Sequence, residues 1–330
     1  MKFIDLKKKL AQTVDNVYLI SGSDRFLCYK ALEAIEKRLN ISIPDMNSVI
    51  LLGDQCDAKD IIDSASVFPF GDEYRLVVVK NFNPKINGTK KTDNEIIIEN
   101  YLDAVSNSTI LVFFNIDGDE FFKNLKMKLT FIDCDKIDLP VLVNVIKSDF
   151  SKHDIQIKEE TARLFALYCN LDMARISTEE AKLISFAAKK GEITDEDIKE
   201  LIVEDKEYQI FELAELIAKN NKDAVFDMVQ RLDVQGKSGF SILLPLYNNY
   251  RRVLYTAINS TMSDKTIAES LGVKEYAIKM CRNQAKVFTP KKLKQIVDML
   301  ANADKNIKSG KIKEDVAIKT IIVKILKLRG

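Results

Sequence analysis

A glycine-bearing turn directly after the first predicted strand most constrains how this chain folds. Residues 17–21 (Val-Tyr-Leu-Ile-Ser) are typical of a buried strand, Gly22 follows them, and an amphipathic helix is predicted from Asp24. A strand, a glycine turn and a helix in this order form the geometry of a phosphate-binding P-loop. The N-terminal part is therefore predicted to be an α/β domain built like a nucleotide-binding core.

The residues that would complete a P-loop are replaced. Such a loop needs a second glycine, then a lysine for the terminal phosphates, then a serine or threonine for magnesium. Counted from Gly22, these three positions hold Leu27, Cys28 and Tyr29. Leucine closes the phosphate cavity, and neither cysteine nor tyrosine supplies a cation. We predict a degenerate P-loop that binds no ATP, and no other cofactor is indicated.

A later strand carries a second departure. The apolar, β-branched run from Tyr74 to Val79 is typical of a strand buried on both faces. In a P-loop ATPase such a strand ends in a carboxylate for magnesium, whereas Lys80 and Asn81 follow here, and a lysine would repel the metal. Either departure alone fits an unrelated α/β domain. Both in the right order favour a degenerate nucleotide-binding core without a metal site.

Strand and helix signals alternate over the first 135 residues and predict a mainly parallel sheet with helices on both faces. Strands are predicted at 17–21, 48–52, 74–79, 109–115 and, more weakly, 130–134, with helices at 24–40, 58–66 and 94–105. The Asn-, Gly-, Pro- and Lys-rich segment 81–92 is predicted to be an exposed loop.

From Leu139-Pro140 onward the chain is predicted to be helical. Three helices at 158–169, 173–190 and 194–201 would form a small unit, followed by a polar joint at 204–207. Further helices are predicted at 210–219, 223–234, 240–258, 265–271, 274–286, 291–307 and 314–328. We therefore expect three domains, 1–138, 139–206 and 207–330.

The formal net charge of +1 conceals a strong asymmetry. Residues 237–330 contain 19 Lys and Arg against 7 Asp and Glu, a balance of +12, whereas the remaining 31 basic and 42 acidic residues give −11. A basic C-terminal domain favours an acidic partner, either nucleic acid or protein. The alternative is an ordinary solvated helical surface.

Composition also excludes much catalytic chemistry. The single histidine, His153, lies in a polar stretch and is predicted to be an exposed loop residue, so no catalytic site is expected. Five separated cysteines without a Cys-x-x-Cys pair favour reduced thiols rather than disulfides or zinc. With no predicted leader or membrane span, we expect a cytoplasmic protein without membrane contacts.

Several motifs in order resemble one family, the delta subunit of the bacterial DNA polymerase III clamp loader. The first of them, Val17–Asp24, contains the turn described above, and the second, Val67–Asn81, contains a loop and the strand that follows it. The others are Ile176–Leu183, Phe211–Leu213, Gln284–Lys286 and Ala303–Gly310. Together they cover nearly the whole chain.

The resemblance implies an AAA+-type core, a small helical lid and a C-terminal helical collar. It implies a subunit of the DNA-directed DNA polymerase holoenzyme, a nucleotidyltransferase complex, with no catalytic site of its own. Such subunits bind and open the sliding clamp while ATPase subunits hydrolyse ATP. The implied partners are the clamp, those ATPase subunits, a delta-prime-like subunit and primed DNA within the complex.

One departure from the related loader subunits concerns their Ser-Arg-Cys motif, which triggers ATP hydrolysis in a neighbour. The corresponding residues here are Ile132-Asp133-Cys134, with no arginine. The comparison implies that no arginine finger is supplied from this position and that Cys134 is a buried strand residue.

The segment Val67-Phe68-Pro69-Phe70-Gly71 joins a helix to a strand, where polar residues are usual. Pro69 stiffens the segment, so that it could hold aromatic rings outward at low entropic cost. Alternatively, both rings fold back beneath the sheet. The resemblance places a clamp-binding hydrophobic wedge here, with Phe70 favoured as the plug and Val67 and Phe68 beside it. Which ring projects stays open.

A helix-turn-helix pattern in the basic domain supplies an alternative function. Residues 266–273 end at a predicted helix break at Gly272 and Val273, and the next helix would place Lys274, Lys279 and Arg282 against DNA phosphates. This would make the chain a helix-turn-helix DNA-binding protein. The structural alternative is an ordinary helix pair, which the delta family also has in its collar.

Overall fold

The structure, a computed structural model, describes residues 1–82, 93–116, 120–123, 125, 128–234 and 239–329. The chain forms two compact units, residues 1–137 and 138–330. The elements of the first unit are α1 (Phe3–Gln12), β1 (Val17–Ser21), α2 (Arg25–Leu39), α3 (Pro44–Asn47), β2 (Ser48–Leu52), α4 (Ala58–Ala65), β3 (Arg75–Lys80), α5 (Asp93–Tyr101), β4 (Thr109–Phe114), α6 (Glu120–Lys123) and β5 (Thr130–Asp133).

Five parallel strands form the sheet of the first unit in the order β2-β3-β4-β1-β5. In the centre, Val17 of β1 lies opposite Leu111 of β4, and Tyr18 lies opposite Thr130 of β5. All residues of β1 and β4 are buried, as expected for parallel strands covered on both faces. Because the strands are parallel, their carboxyl ends share one edge of the sheet, where ligands of open α/β sheets bind.

The two faces of the sheet are covered by different helices. One face buries alternate strand residues such as Leu19, Val77 and Phe113 against α4 and α5. The helices α1 and α2 contact β5 and β1 and add no side chain to that cluster, so they cover the opposite face. The Asp24 carboxylate caps α2 at its N-terminus, and Asn40 ends it in a left-handed conformation.

The second unit is almost entirely helical. Its elements are α7 (Leu139–Ser151), β6 (Gln156–Ile157), α8 (Glu159–Tyr168), α9 (Met173–Ala187), β7 (Glu192–Ile193), α10 (Asp195–Leu201), α11 (Lys206–Ala218), α12 (Lys222–Val234), α13 (Gly239–Ile258), α14 (Asp264–Leu271), α15 (Glu275–Ala285), α16 (Pro290–Lys308) and α17 (Glu314–Arg329). Within this unit α13 contacts α11, α15, α16 and α17, which makes it the central helix of the larger core.

Most predicted elements are confirmed to within a few residues. The strand at 48–52 and the helix from Asp24 to Asn40, with those two residues as its caps, are found as expected. Pro140 lies in the first turn of α7, and Thr194 forms a capping box with Asp197 at the start of α10. His153 is exposed in a turn, and all five cysteines are free.

Some expectations were wrong or incomplete. The stretch after Pro140 is not helical throughout, because β6, just before the predicted three-helix unit, pairs in parallel with β7 inside it. The predicted polar joint at 204–207 is shorter, because Asp205 already caps α11. The helices α1, α3 and α6 were not predicted. Of the predicted loop at 81–92, residues 83–92 lie outside the described part.

The predicted class, an α/β core followed by helices, is confirmed. The further division of residues 139–330 into a lid and a collar stays a prediction, because residues 138–330 form one compact unit. In the described part of the chain, no helix combines the length and the apolar character that a membrane span requires.

Gly22 allows the β1–α2 turn to approach the end of β5. A Cβ atom at this position would lie 2.2 Å from the carbonyl carbon of Cys134, a main-chain atom that cannot rotate away. We expect Gly22→Ala to lower the free energy of unfolding by about 3 kcal/mol, the upper end of the range for overpacking. Gly310→Ala is the control: its Cβ would meet nothing within 4 Å, and its left-handed backbone costs only about 1–2 kcal/mol. Equal losses in urea unfolding would contradict the close approach.

Candidate functional site

The aromatic segment Val67–Gly71 connects α4 to β3 and carries its apolar side chains into solvent. Phe68 is 78% exposed, Phe70 is 65% exposed and Val67 is 49% exposed, while Pro69 is partly buried. The alternative that the rings pack beneath the sheet is therefore wrong for both phenylalanines. Two exposed phenylalanines separated by one residue form an apolar patch, a feature typical of interaction surfaces.

The buried side chain of Asn47 fixes the main chain of this loop. Its amide oxygen accepts a hydrogen bond from the N–H of Phe70 at 2.7 Å, and its amide nitrogen donates to the carbonyl of Phe70 at 2.8 Å. Both polar groups of one residue are thus bound by one side chain that is itself fully buried. The backbone of Phe70 is therefore held in one position beside Asn47.

Asp72 ties the same loop to the segment before α3. Its carboxylate accepts hydrogen bonds from the N–H of Ser42 at 3.0 Å, the N–H of Ile43 at 3.1 Å and the amide nitrogen of Asn47 at 2.7 Å. The Ser42 hydroxyl donates to it as well. The hydroxyl and N–H of Ser42 hold the pKa of Asp72 well below its usual range, with further bonds from Asn47 and Ile43 in the same direction.

Arg75 completes this scaffold at the start of β3. Its Nε donates to the carbonyl of Ser64 in α4 at 2.8 Å, and one terminal nitrogen donates to the carbonyl of Met46 in α3 at 2.6 Å. Ile43 and Met46 are themselves exposed. Because Met46 is adjacent to Asn47, the surface near the phenylalanines includes apolar residues that sequence reasoning missed.

The degenerate P-loop positions are filled by side chains of the chain itself. Leu27 and Cys28 are buried, and Tyr29 is exposed with its ring 5.1 Å from that of Phe114. The Cys28 thiol lies 3.9 Å from the Gly22 carbonyl oxygen. A hydrogen bond with the Cys28 thiol and burial both raise the pKa of Cys134. The Cys134 thiol therefore stays protonated at neutral pH. Cys134 is buried as predicted.

Three main-chain N–H groups of the turn are also occupied. The N–H of Ser23 donates to the Asp135 carboxylate at 2.9 Å, and that of Leu27 donates to the Asp24 carboxylate at 3.2 Å. The N–H of Asp24 donates to the carbonyl of Cys134 at 3.0 Å. A P-loop directs such groups at phosphates. Here two of them bind carboxylates, which would repel a nucleotide phosphate in their place.

The end of β3 carries the predicted lysine. Lys80 is the last residue of β3. Burial and the charge of Glu33 raise the pKa of Glu36 on α2, and the positive charge of Lys80 acts in the opposite direction. A lysine near a carboxylate of α2 therefore stands at the strand end where an ATPase places a magnesium ligand. Among the described residues, no group of three or more His, Cys, Asp or Glu side chains is arranged to hold a metal.

The predicted helix-turn-helix exists as α14 and α15, joined through Gly272 in a left-handed conformation. Its basic residues, however, have partners within the second unit. Arg282 pairs with Asp264 and donates to the carbonyls of Ser260 (3.1 Å) and Met262.

The two lysines of the pattern also have partners. Lys274 donates to the carbonyl of Asn170, and Lys279 pairs with Glu275 at 3.0 Å. The geometry around Arg282 and Lys274 favours the structural interpretation of this helix pair, whereas DNA contacts by these residues stay a prediction.

Two family models match the chain: "DNA polymerase III, delta subunit" over residues 18–135 and "DNA polymerase III delta subunit, C-terminal domain" over residues 207–325. The chain is 25% identical over 327 residues to DNA polymerase III subunit delta of Bacillus subtilis (strain 168), covering 95% of this chain and 94% of the relative. The solved Bacillus subtilis DNA clamp loader delta protein (YqeN) superimposes with a TM-score of 0.79 at 25% identity, covering 98% and 99% of the two chains.

The chain belongs to the DNA polymerase III delta subunit family. A probable DNA polymerase III subunit delta of Aquifex aeolicus (strain VF5) is 20% identical over 305 residues, covering 88% of this chain and 85% of that protein. The first family model includes both the degenerate turn and the aromatic loop, and the second includes α13 to α16 and most of α11 and α17. The resemblance identified from the motifs is thereby confirmed.

The occupied turn predicts that this delta subunit does not bind ATP. Equilibrium titration of the purified chain with labelled ATP and magnesium should show no saturable site in the micromolar range. The physical reason is that carboxylates already accept from the N–H groups of Ser23 and Leu27. A single stoichiometric site competed by unlabelled ATP would contradict the prediction.

The carboxylate of Asp72 should make the stability of the first unit depend on pH. Because its folded pKa is lowered, it stabilises the fold above its unfolded pKa of about 3.9, and this contribution is lost as the pH falls further. Asp72→Asn should therefore lower the melting temperature at pH 7, and its difference from wild type should narrow below about pH 4. Asp63→Asn, which removes an exposed carboxylate from α4, is the control. A difference that is constant with pH would contradict this role of Asp72.

Proposed function

We propose that this delta-family chain is the clamp-loader subunit that binds and opens the sliding clamp, and that its aromatic loop is the contact. The observation that carries the proposal is the pair of exposed rings, Phe68 and Phe70, on a loop whose backbone is held by Asn47 and Asp72. Membership of the delta family supports the clamp-loader role itself.

The energetics of this contact come from burying apolar surface. Val67, Phe68 and Phe70 are exposed in the free chain, so a clamp pocket would remove their surface from water. Full burial of a phenylalanine side chain contributes about 1.5–3 kcal/mol. Ile43 and Met46, also exposed near the loop, would widen the apolar contact around the two rings.

Preorganisation makes this energy available for binding. A flexible loop would lose conformational freedom on docking, and that loss would weaken the complex. Here the N–H and carbonyl of Phe70 are already bound to Asn47, and Gly71 provides the left-handed turn with φ of +73°. Less entropy is therefore lost on binding than with an unsupported loop.

Clamp opening follows from this contact only if the loop binds the open clamp more tightly than the closed one. A ligand shifts a two-state equilibrium by its difference in affinity for the two states. This chain would supply that difference through its apolar wedge, while ATPase subunits would supply the energy of nucleotide binding and hydrolysis. The carboxylates in its own turn are consistent with this division of labour.

The second unit would join the chain to the rest of the loader. Its helices α11 to α13 and α15 to α17 share one large core, and helical collars are the assembly elements that the family resemblance implies. We propose that this part contacts the ATPase and delta-prime-like subunits, and that primed DNA is met within the assembled complex in the cytoplasm.

Replacing both rings tests the clamp contact. Phe68→Ala with Phe70→Ala should weaken clamp binding by about 10²- to 10⁴-fold, since each ring contributes about 1.5–3 kcal/mol and a decade corresponds to about 1.4 kcal/mol. The melting temperature should stay unchanged because neither ring is buried in the free chain. Surface plasmon resonance with immobilised clamp and thermal melting measure both quantities on the same sample.

Phe186→Ala is the matched control, because Phe186 is also an exposed phenylalanine but lies on α9 in the second unit. It should bind the clamp as tightly as wild type. A folded double variant that keeps its clamp affinity would refute the aromatic contact. If the double variant loses that affinity, the two single variants will show which ring is the plug.

A further inference from the structure

One face of α13 is exposed along most of its length. Five of its exposed residues are spaced by four, three, four and three positions, which places them on a single stripe of an α-helix: Leu244, Asn248, Arg251, Tyr255 and Ile258. The stripe is apolar at both ends and polar in the middle. At 1.5 Å per residue it extends over about 20 Å.

Two adjoining cavities of about 320 and 420 Å³ lie along this stripe and share Asn248 and Arg252. The smaller is walled by apolar residues of α11 and α13, namely Ile210, Phe211, Leu244 and Pro245. The larger is walled by Leu254, Ile258, Leu271 and Val297. We call the two cavities together the α13 groove.

Asn249 lines the smaller cavity with an unsatisfied acceptor. The residue is only 2% exposed, and its amide nitrogen donates to the side-chain oxygen of Gln284 at 3.0 Å. Its amide oxygen and the amide nitrogen of Gln284 both lack a hydrogen-bond partner among the described residues. Buried amide groups without partners are costly, so a polar group of a ligand that reaches this pair would be favoured.

The middle of the α13 groove is positively charged. Arg252 pairs with Glu207 at 2.6 Å. Arg251 lies with its guanidinium carbon 5.5 Å from the centre of the Tyr247 ring, and no carboxylate in the described part of the chain pairs with it. Its charge is therefore available to an acidic group of a ligand.

We propose that the α13 groove receives an amphipathic helical segment of another clamp-loader subunit. The segment would span about four turns, matching the roughly 20 Å of the stripe. It would place an acidic side chain opposite Arg251, a polar side chain near the amide of Asn249, and apolar side chains near Leu244 and Ile258. This inference rests on the proposed function and locates the subunit contact of the second unit.

The chemistry of the groove favours a protein segment over the two other occupants. Nucleic-acid phosphates could pair with Arg251, but they gain nothing from the apolar ends of the groove at Leu244 and Ile258. A second copy docked by the same stripe about a two-fold axis would bring Arg251 towards Arg251. The partner segment must therefore be acidic and belong to a different chain.

The test compares two double variants of the full-length chain. Arg251→Glu with Ile258→Ser changes the charge and apolar character of the groove, whereas Lys319→Glu with Val316→Ser makes the same kinds of change on exposed positions of α17. Each is mixed with the purified ATPase and delta-prime-like subunits, and assembly is measured by sedimentation velocity. We expect at least a tenfold loss of affinity for the groove variant and none for the control.

Since all four replaced residues are exposed, both variants should keep the wild-type melting temperature and clamp affinity. Equal assembly by both variants, or an equal loss in both, would overturn the proposal. A groove variant that assembles normally but loses primed-DNA binding or self-association would overturn it as well. A wild-type chain that binds neither clamp nor loader subunits would instead refute the proposed function. Benzoylphenylalanine at Asn248 should crosslink to an acidic segment of one loader subunit, and crosslinking only to DNA or to a second copy would overturn the proposal.

Discussion

The hydrogen bonds between Asn47 and the main chain of Phe70 decide what the first unit can present to a partner. Asn47 ends α3 and is fully buried, so its side chain adopts one position relative to the sheet. Its two hydrogen bonds, at 2.7 and 2.8 Å, fix the main chain of Phe70, which lies 23 residues further along the chain. The main chain at Phe70 is therefore fixed by the folded core, because releasing it would leave buried polar groups unpaired.

The same requirement that polar groups find hydrogen-bond partners explains how a scaffold of the nucleotide-binding type can fold without a nucleotide. A strand–turn–helix leaves N–H groups that need acceptors, and in a P-loop ATPase phosphates accept from them. In this chain Asp24 and Asp135 accept instead, and Gly22 lets the turn close on Cys134. Three N–H groups of the turn are therefore paired in the free protein, and the fold keeps its shape without a phosphate to accept from them.

How much of this could be predicted from the sequence depended on the distance between interacting residues. The strands and most helices follow local patterns, and the aromatic segment was identified because phenylalanines are unusual in a loop. Asn47 and Asp72 were missed, since their partners Phe70 and Ser42 are 23 and 30 positions away. The Gly71-Asp72 turn was the available signal for Asp72, but Asn47 gave none. The short strands β6 and β7, two residues each, were missed for the same reason.

The basic character of the second part does not by itself show which of its residues are available to a partner. Arg282 and Lys274 were candidates for phosphate contacts. Arg282 instead joins α15 to Asp264 of α14 and to the preceding Met262, and Lys274 joins the start of α15 to the carbonyl of Asn170. A guanidinium with three such partners would have to give them up before it bound a phosphate. Arg251 differs because it lies on an exposed stripe above an aromatic ring. Internal hydrogen bonds therefore determine which positive charges are available to a partner. The charge of Arg251 lies beside apolar residues, a combination that favours a protein partner.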